Sequence, residues 1–368
     1  MTTTAPPIAL ALSGGGIRAM AFHLGVLKRL AERGLLERVA RLSTVSGGSL
    51  LMGLIYSSND LRWPTSQQFL DKTYPSVGAQ LCSRSLQAGA FLQLLRPWNW
   101  RFCLSRANLL ALELRKNWGL NAPLSAIGSS PEWSINGTTA ENGKRFRFKG
   151  VEIGDWELGY AQAPNFPLGS ALAVSAAFPI GFGPLALRAD GYTWTKRAWD
   201  APKGSEQIVE VGTKRLHLYD GGLYDNLGAE PFFHPGKQQP KNAGDYIIVS
   251  DAGAPLPFGL RSGPLNPFRV KRMMDIMSEQ SRSLRIRAFA NFLQANPGAG
   301  AQLLIGTAIS GPDCTEAQFA CAFPTSLKRL SRADFERLAG YGHGVARDAE
   351  SRFGLAQRGE QIRRPDRA

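Results

Sequence analysis

Thr44-Val45-Ser46-Gly47-Gly48, read with Gly14-Gly15-Gly16-Ile17-Arg18 upstream, is the stretch whose reading decides the fold. Val39-Ala40-Arg41-Leu42-Ser43-Thr44-Val45 leads into Ser46 as a short strand. Leu50-Leu51-Met52-Gly53-Leu54-Ile55-Tyr56 follows it, apolar nearly throughout and long enough for a buried helix. A serine at a strand-to-helix turn with glycine beside it is what an exposed nucleophile requires. The sharp turn brings the hydroxyl into the open, and the helix starting there aims backbone N–H groups and a positive dipole end at any oxyanion formed beside it. Thr44 occupies the first glycine position of G-x-S-x-G, and Ser-Gly-Gly-Ser also suits a plain loop, so the elbow stands on its neighbours as much as on itself.

Those neighbours begin with Ile8-Ala9-Leu10-Ala11-Leu12, a buried first strand running into Ser13-Gly14-Gly15-Gly16. Ile17, Met20, Ala21, Leu24, Leu27, Leu30 and Ala31 then recur at helical spacing, and Gly34 marks the stop. Strand, glycine loop and helix make an anion-binding turn, because successive backbone N–H groups converge there. A dinucleotide loop is the rival reading, but G-G-G-x-R is not G-x-G-x-x-G and no acidic residue ends a second strand nearby. His23, inside the helix, reads as a structural histidine.

With 368 residues, 43% of them hydrophobic, the chain suits one large domain carrying an insertion. Cys82, Cys103, Cys314 and Cys321 lack metal-ligand spacing; a Cys314–Cys321 disulfide is conceivable, and free thiols are the simpler reading. The N-terminus lacks a basic region before a short apolar run, which argues against a signal peptide, and no run of about eighteen apolar residues predicts a membrane span. A net charge of +14 favours anionic partners: lipid headgroups, nucleic acid or acidic proteins.

Further along, residues 57–131 read as an irregular helical cap, centred on Phe91-Leu92-Gln93-Leu94-Leu95-Arg96-Pro97-Trp98-Asn99-Trp100-Arg101-Phe102. Aromatics beside arginines suit a membrane interface as well as a cap packed on the core. Trp133–Thr139, the Asn142-Gly143 turn and Arg145–Phe148 predict a hairpin. Leu168–Phe178 predicts a helix ended by Pro179, Asp190-Gly191 a turn, and Tyr246–Ser250 a buried strand ending at Asp251. Arg215–Tyr219 reads as a strand that delivers Asp220-Gly221-Gly222, where the glycines let the backbone come close to an opening beside the carboxylate. An ordinary Asx turn would look the same. The basic segment Arg261–Arg287 reads as a solvated helix face.

Five pieces in this order resemble the patatin-like phospholipase family: Gly14–Arg18, the Ser46 elbow, Ser175-Ala176-Ala177-Phe178-Pro179, Asp220-Gly221-Gly222 with Asp225-Asn226-Leu227-Gly228, and Phe323-Pro324-Thr325-Ser326-Leu327. Ala19 stands where the family usually has glycine, and Thr44 is the second departure. The resemblance implies an α/β fold, three layers α/β/α around a mostly parallel sheet, with a hydrolase domain over 1–345, a cap at 57–131 and a basic tail at 346–368. It implies a Ser–Asp dyad, Ser46 as nucleophile and Asp220 as its activating base, with an oxyanion hole drawn from Gly14, Gly15, Gly16, Arg18 and Gly47. Arg18 would brace the loop or meet a lipid phosphate. No cofactor or metal is called for. The implied substrate is a phospholipid or another acyl lipid, met by a cytoplasmic protein in peripheral contact with an anionic membrane, and no nucleic acid is expected. Two rivals stay open: an α/β-hydrolase triad of Ser46, Asp220 or Asp251, and His343, whose chain order fits, and a non-catalytic binder of anionic lipid or nucleic acid.

Overall fold

Alternation along the first strand sets up the layers. In β1 (Ile8–Leu12), Ile8, Leu10 and Leu12 join one apolar core while Ala9 and Ala11 join another, as the two-residue period of a strand dictates. The structure, a computed structural model, describes residues 5–355 apart from 180, 203, 257, 261–267 and 310–314. Further strands are β2 (Val39–Thr44), β3 (Glu132–Thr139), β4 (Arg145–Lys149), β5 (Glu152–Asp155), β6 (Gly159–Gln162), β7 (Leu185–Arg188), β8 (Trp194–Lys196), β9 (Gln207–Val209), β10 (Arg215–Asp220), β11 (Phe233–His234), β12 (Gln239–Pro240), β13 (Tyr246–Asp251) and β14 (Gly300–Leu304).

Among the described residues, twelve of these form one sheet in the order β14-β13-β1-β2-β3-β4-β5-β6-β8-β9, with β10 and β7 branching from β3. The run β14-β13-β1-β2-β3 is parallel, and the strands beyond β3 are antiparallel. Helices α1 (Gly16–Glu32), α2 (Gly47–Ser57) and Arg332–Phe353 cover the face of Leu10 and Leu12; helix Phe268–Ala295 covers the other, where Phe289 and Phe292 lie over Ala9, Ala11, Ile247 and Val249. The small side chains of Ala9 and Ala11 leave room for those rings. This is the expected α/β/α sandwich with a parallel centre. Between α2 and β3 the chain is helical in short pieces, including Tyr74–Ser83, Leu86–Leu92 and Ala107–Asn117. No helix among the described residues is long and apolar enough to cross a membrane.

One boundary expected from the sequence does not hold. Helix Arg332–Phe353 runs straight through residue 345, with Ala346 and Ala349 buried and Leu355 buried just beyond it. It lies backbone to backbone on α1: a Cβ on Gly25 would sit 1.8 Å from the Ala339 carbonyl, and one on Gly342 2.1 Å from that of Phe22. Only glycine permits that approach, which accounts for Gly25 and Gly342. Glu350 then takes Arg29 and Arg33 at 2.6 Å each. Cys314 lies outside the described residues, and Cys321 is a free thiol. Ending the chain after residue 345 should therefore cost on the order of 3 kcal/mol or more in buried apolar contacts, read as a lower Tm.

Candidate active site

Strand β3 brings the two candidate reacting side chains together. β4 occupies one edge of β3. On the other edge β2 runs up in parallel as far as Thr44 opposite Ile135, and β10 runs down antiparallel as far as Asp220 opposite Gly137. Two strand ends thus meet head-on, their last residues about 7 Å apart along β3, with only Asn136 between them. The Asn136 amide donates to Ser43 Oγ and to the Thr44 carbonyl, both at 2.9 Å, so the junction is pinned from below. A side chain at 221 would strike the Asn136 carbonyl at 2.5 Å, so Gly221 allows the chain to leave β10 there.

Ser46 follows Thr44 in a left-handed conformation, φ 49° and ψ −117°, rare for a residue with a Cβ. Such strain persists only where the surroundings hold it. Here the Ser46 N–H donates to the Ser175 carbonyl at 3.1 Å and to its Oγ at 3.0 Å. Ser175 Oγ lies 2.8 Å from Ser49 Oγ, which lies 2.7 Å from Thr44 Oγ1, itself accepting from Trp133 Nε1 at 2.9 Å. Thr44, the departure from the glycine pattern, is a link in this buried chain. Ser49 escaped the sequence reading, because a serine in an apolar helix gives no sign of whom it bonds.

Asp220 is buried, and its carboxylate accepts from the Gly222 N–H at 2.7 Å. Burial disfavours its charged form and pushes its pKa up to about 7, and the Gly222 N–H and the neighbouring Ser46 hydroxyl only partly oppose the rise. Its backbone is tied at both ends, N–H to the Ala177 carbonyl at 3.1 Å and carbonyl to Thr138 Oγ1 at 2.8 Å. Ser175 and Ala177 therefore hold the serine and the aspartate from one loop.

The glycine loop packs against this pair, and its members divide. A Cβ on Gly14 would lie 3.0 Å from Ser46 Cβ and 2.3 Å from Asn226 Oδ1. The Gly14 N–H is bonded to the Asn226 carbonyl at 3.1 Å, so contrary to expectation it does not point at an oxyanion. Gly15 and Gly16 have φ of 142° and 60°, and among the described residues their N–H groups and that of Gly47 have no protein acceptor. Gly47 abuts Gly16, since its Cβ would lie 3.0 Å from the Gly16 nitrogen. Arg18 takes the first of its two expected roles: its buried guanidinium donates to the carbonyls of Ala252 at 3.1 Å and Phe323 at 2.7 Å, so it braces the loop from behind and does not join the oxyanion hole.

None of the four histidines joins them. His23 is fully buried, Nε2 on the Ser13 carbonyl at 3.1 Å and Nδ1 on Ser250 Oγ at 2.8 Å, and burial lowers its pKa to about 4. His343 pairs with Glu32 at 2.7 Å, at the far end of α1 and about 24 Å of helical rise from Gly16. His217 bonds Glu141, and His234 is exposed.

A family model described as patatin-like phospholipase matches residues 10–233, which include the glycine loop, Ser46 and Asp220. The chain belongs to the patatin-like phospholipase family. Among curated proteins, cytosolic phospholipase A2 gamma of Mus musculus is 47% identical over 55 residues, 15% of this chain and 9% of that protein. Among solved structures, human GIVD cytosolic phospholipase A2 matches with a TM-score of 0.56 and 17% identity over 96% of this chain and 60% of that one. The same human protein in complex with methyl gamma-linolenyl fluorophosphonate matches with a TM-score of 0.53 and 18% identity, over 96% of this chain and 58% of that one. The likeness extends the family assignment to the fold. The chain spans less than two thirds of the length of these relatives.

Asp220 and His23 should pull stability in opposite directions as pH falls. Asp220 has a folded pKa near 7 against an ordinary 3.8, so the folded state takes up its proton first and gains stability from pH 7 down to about 4. His23 has a folded pKa near 4 against 6.5, so the unfolded state takes the proton first and stability is lost from about pH 6.5 downward. Each slope is about 1.4 kcal/mol per pH unit at most. Urea unfolding of Asp220→Asn should show a steeper acid loss than wild type, and His23→Gln a shallower loss or a gain.

Proposed function

We propose that this protein is a serine acyl hydrolase that cleaves fatty acyl esters of phospholipids or related lipids through an acyl-enzyme, with Ser46 as nucleophile and Asp220 as general base. The observation that carries the reading is the buried Asp220 carboxylate set beside Ser46 where two strand ends meet on one edge of β3. Family membership and the cytosolic phospholipase A2 relatives support the substrate class.

Ser46 Oγ attacks the acyl carbonyl as Asp220 takes its proton. The oxyanion that forms is met by the N–H groups of Gly15, Gly16 and Gly47, fixed donors that need no reorganisation. Asp220 returns the proton to the leaving alcohol, then takes one from the water that frees the fatty acid and hands it back to Ser46 Oγ as that oxygen leaves. A carboxylate in water is a poor base toward serine. Desolvation raises its proton affinity, and a pKa near 7 suits a base working at neutral pH. Arg18 and Asn226 hold the loop, so the donors keep their aim.

The loop leaving Ser175 also points to how a lipid arrives. It carries the partly exposed Phe178, then reaches the cap, where the Phe182 carbonyl accepts from the Ala107 N–H and the Pro184 carbonyl from Ser105 Oγ. Beside that contact stands an apolar surface with Leu95, Trp98, Trp100 and Leu104 at 77, 65, 62 and 92% exposure, interleaved with Arg96 and Arg101. Rings among arginines fit a layer of anionic headgroups.

Ser46→Ala and Asp220→Asn should each lower acyl-ester hydrolysis by about 10²–10⁴-fold or more, with the double variant hardly worse. Wild-type kcat/KM should rise with pH through a midpoint near 7, since the protonated carboxyl cannot accept a proton. Retained activity in either folded single variant, or its collapse in His343→Gln, would overturn the assignment. Trp98→Ala/Trp100→Ala should lose hydrolysis of anionic vesicles while still cleaving a short soluble ester; equal loss of both would return the tryptophans to the cap.

A further inference from the structure

Helix Phe268–Ala295 is longer than the strand layer it covers. Its C-terminal half is anchored: Phe289 and Phe292 are fully buried on the sheet, and Asn296 and Ala299 lie at the start of β13. Arg282 is level with the other end of β13, its Nε on Asp251 Oδ2 at 2.9 Å and Nη2 on the Gly253 carbonyl at 2.6 Å. The fourteen residues 268–281 therefore continue past the sheet, about 21 Å at helical rise. They leave from the edge at which β1, β2 and β13 end, where Ser46 lies.

Along this overhang and the turn after it runs an apolar stripe that no described residue covers. Val270, Met273, Met277 and Leu284 fall within about 60° of the helix circumference and are 63, 64, 71 and 60% exposed. Phe258 and Leu260, in the segment before the helix, are exposed as well. No described side chain of the helix before Phe289 is fully buried. Core packing thus explains none of these six.

Charge identifies the occupant. Residues 84–117 hold six basic side chains against Glu113, and residues 268–284 hold four against Asp275 and Glu279, one of which, Arg282, is tied to Asp251. Together the two segments carry +7 of the net +14. Both segments also carry exposed apolar side chains. Both also connect to the site: the cap through the loop leaving Ser175, and the helix through Arg285, whose Nη2 donates to the Tyr224 carbonyl at 2.8 Å just after Asp220-Gly221-Gly222. A basic helix with a Met-rich apolar stripe matches an anionic bilayer surface, where side chains enter the acyl boundary and cations meet phosphates.

We propose that residues 268–284 are a second bilayer-docking element, which with the cap straddles the mouth of the site and seats it on an anionic phospholipid surface. The proposal rests on the lipid-hydrolase reading for its purpose but not for its test.

Binding is measured with the Ser46→Ala protein, so no hydrolysis intervenes, by co-sedimentation with phosphatidylcholine vesicles with and without phosphatidylserine. Met273→Glu/Met277→Glu in that background should weaken binding to the anionic vesicles by about 30-fold or more, while Met273→Leu/Met277→Leu should bind like the parent. With Ser46 restored, the Glu pair should still cleave a short soluble ester at the wild-type rate, which also shows that it folds. Unchanged binding of the Glu pair overturns the proposal. So does a parent that sediments as a dimer and a Glu pair that sediments as a monomer, because a second copy would then cover the stripe. If binding falls as expected but no ester is cleaved by the Ser46 protein, the docking element stands and the hydrolase reading fails.

Discussion

Everything at the site depends on two strands ending against each other on one edge of a third. Parallel β2 and antiparallel β10 share the edge of β3 that β4 leaves free, and each stops where the other begins. A chain leaving β2 must turn at once, and Ser46 turns there in a conformation that a Cβ resists. A chain leaving β10 must also turn, and Gly221 permits it. Asn136 bonds the β2 end, while the loop through Ser175 and Ala177 bonds both ends. The serine and the aspartate are positioned by strand pairing, and side-chain contacts refine what the pairing sets.

The junction lies in the core, and that location sets the charge of Asp220. Near water it would be an ordinary carboxylate. Buried, it holds a proton up to about pH 7, which weakens the folded state at neutral pH. His23, whose burial outweighs the pull of Asp251, stays neutral and serves as a hydrogen-bond post between Ser13 and Ser250.

The layer around the junction is built of backbone contacts. Gly14 meets Asn226, Gly16 would strike the Ser326 carbonyl at 2.4 Å if it had a side chain, and Gly47 abuts Gly16. Arg18, Arg282 and Arg285 tie the surrounding loops by donating to carbonyls or buried carboxylates. These arginines are structural despite their number. Other cations sit on the cap and on the overhanging helix, next to exposed apolar side chains.

Much of this was legible in the sequence, and the reason is local. Alternation in Ile8–Leu12, helical spacing after Gly16, the turn at Ser46 and the strand into Asp220 each depend on residues close together in the chain, and the family resemblance joined them in order. Three things only the tertiary structure decided. Which N–H groups of the glycine loop are free depended on Asn226, more than two hundred residues away in the chain. Whether Arg18 faces a ligand or braces the loop depended on the carbonyls of Ala252 and Phe323. Where the C-terminal segment ends as a packed unit depended on the contact of Gly25 with Ala339 and of Phe22 with Gly342. A sequence records what each residue can offer; which acceptor it meets follows from how distant segments pack.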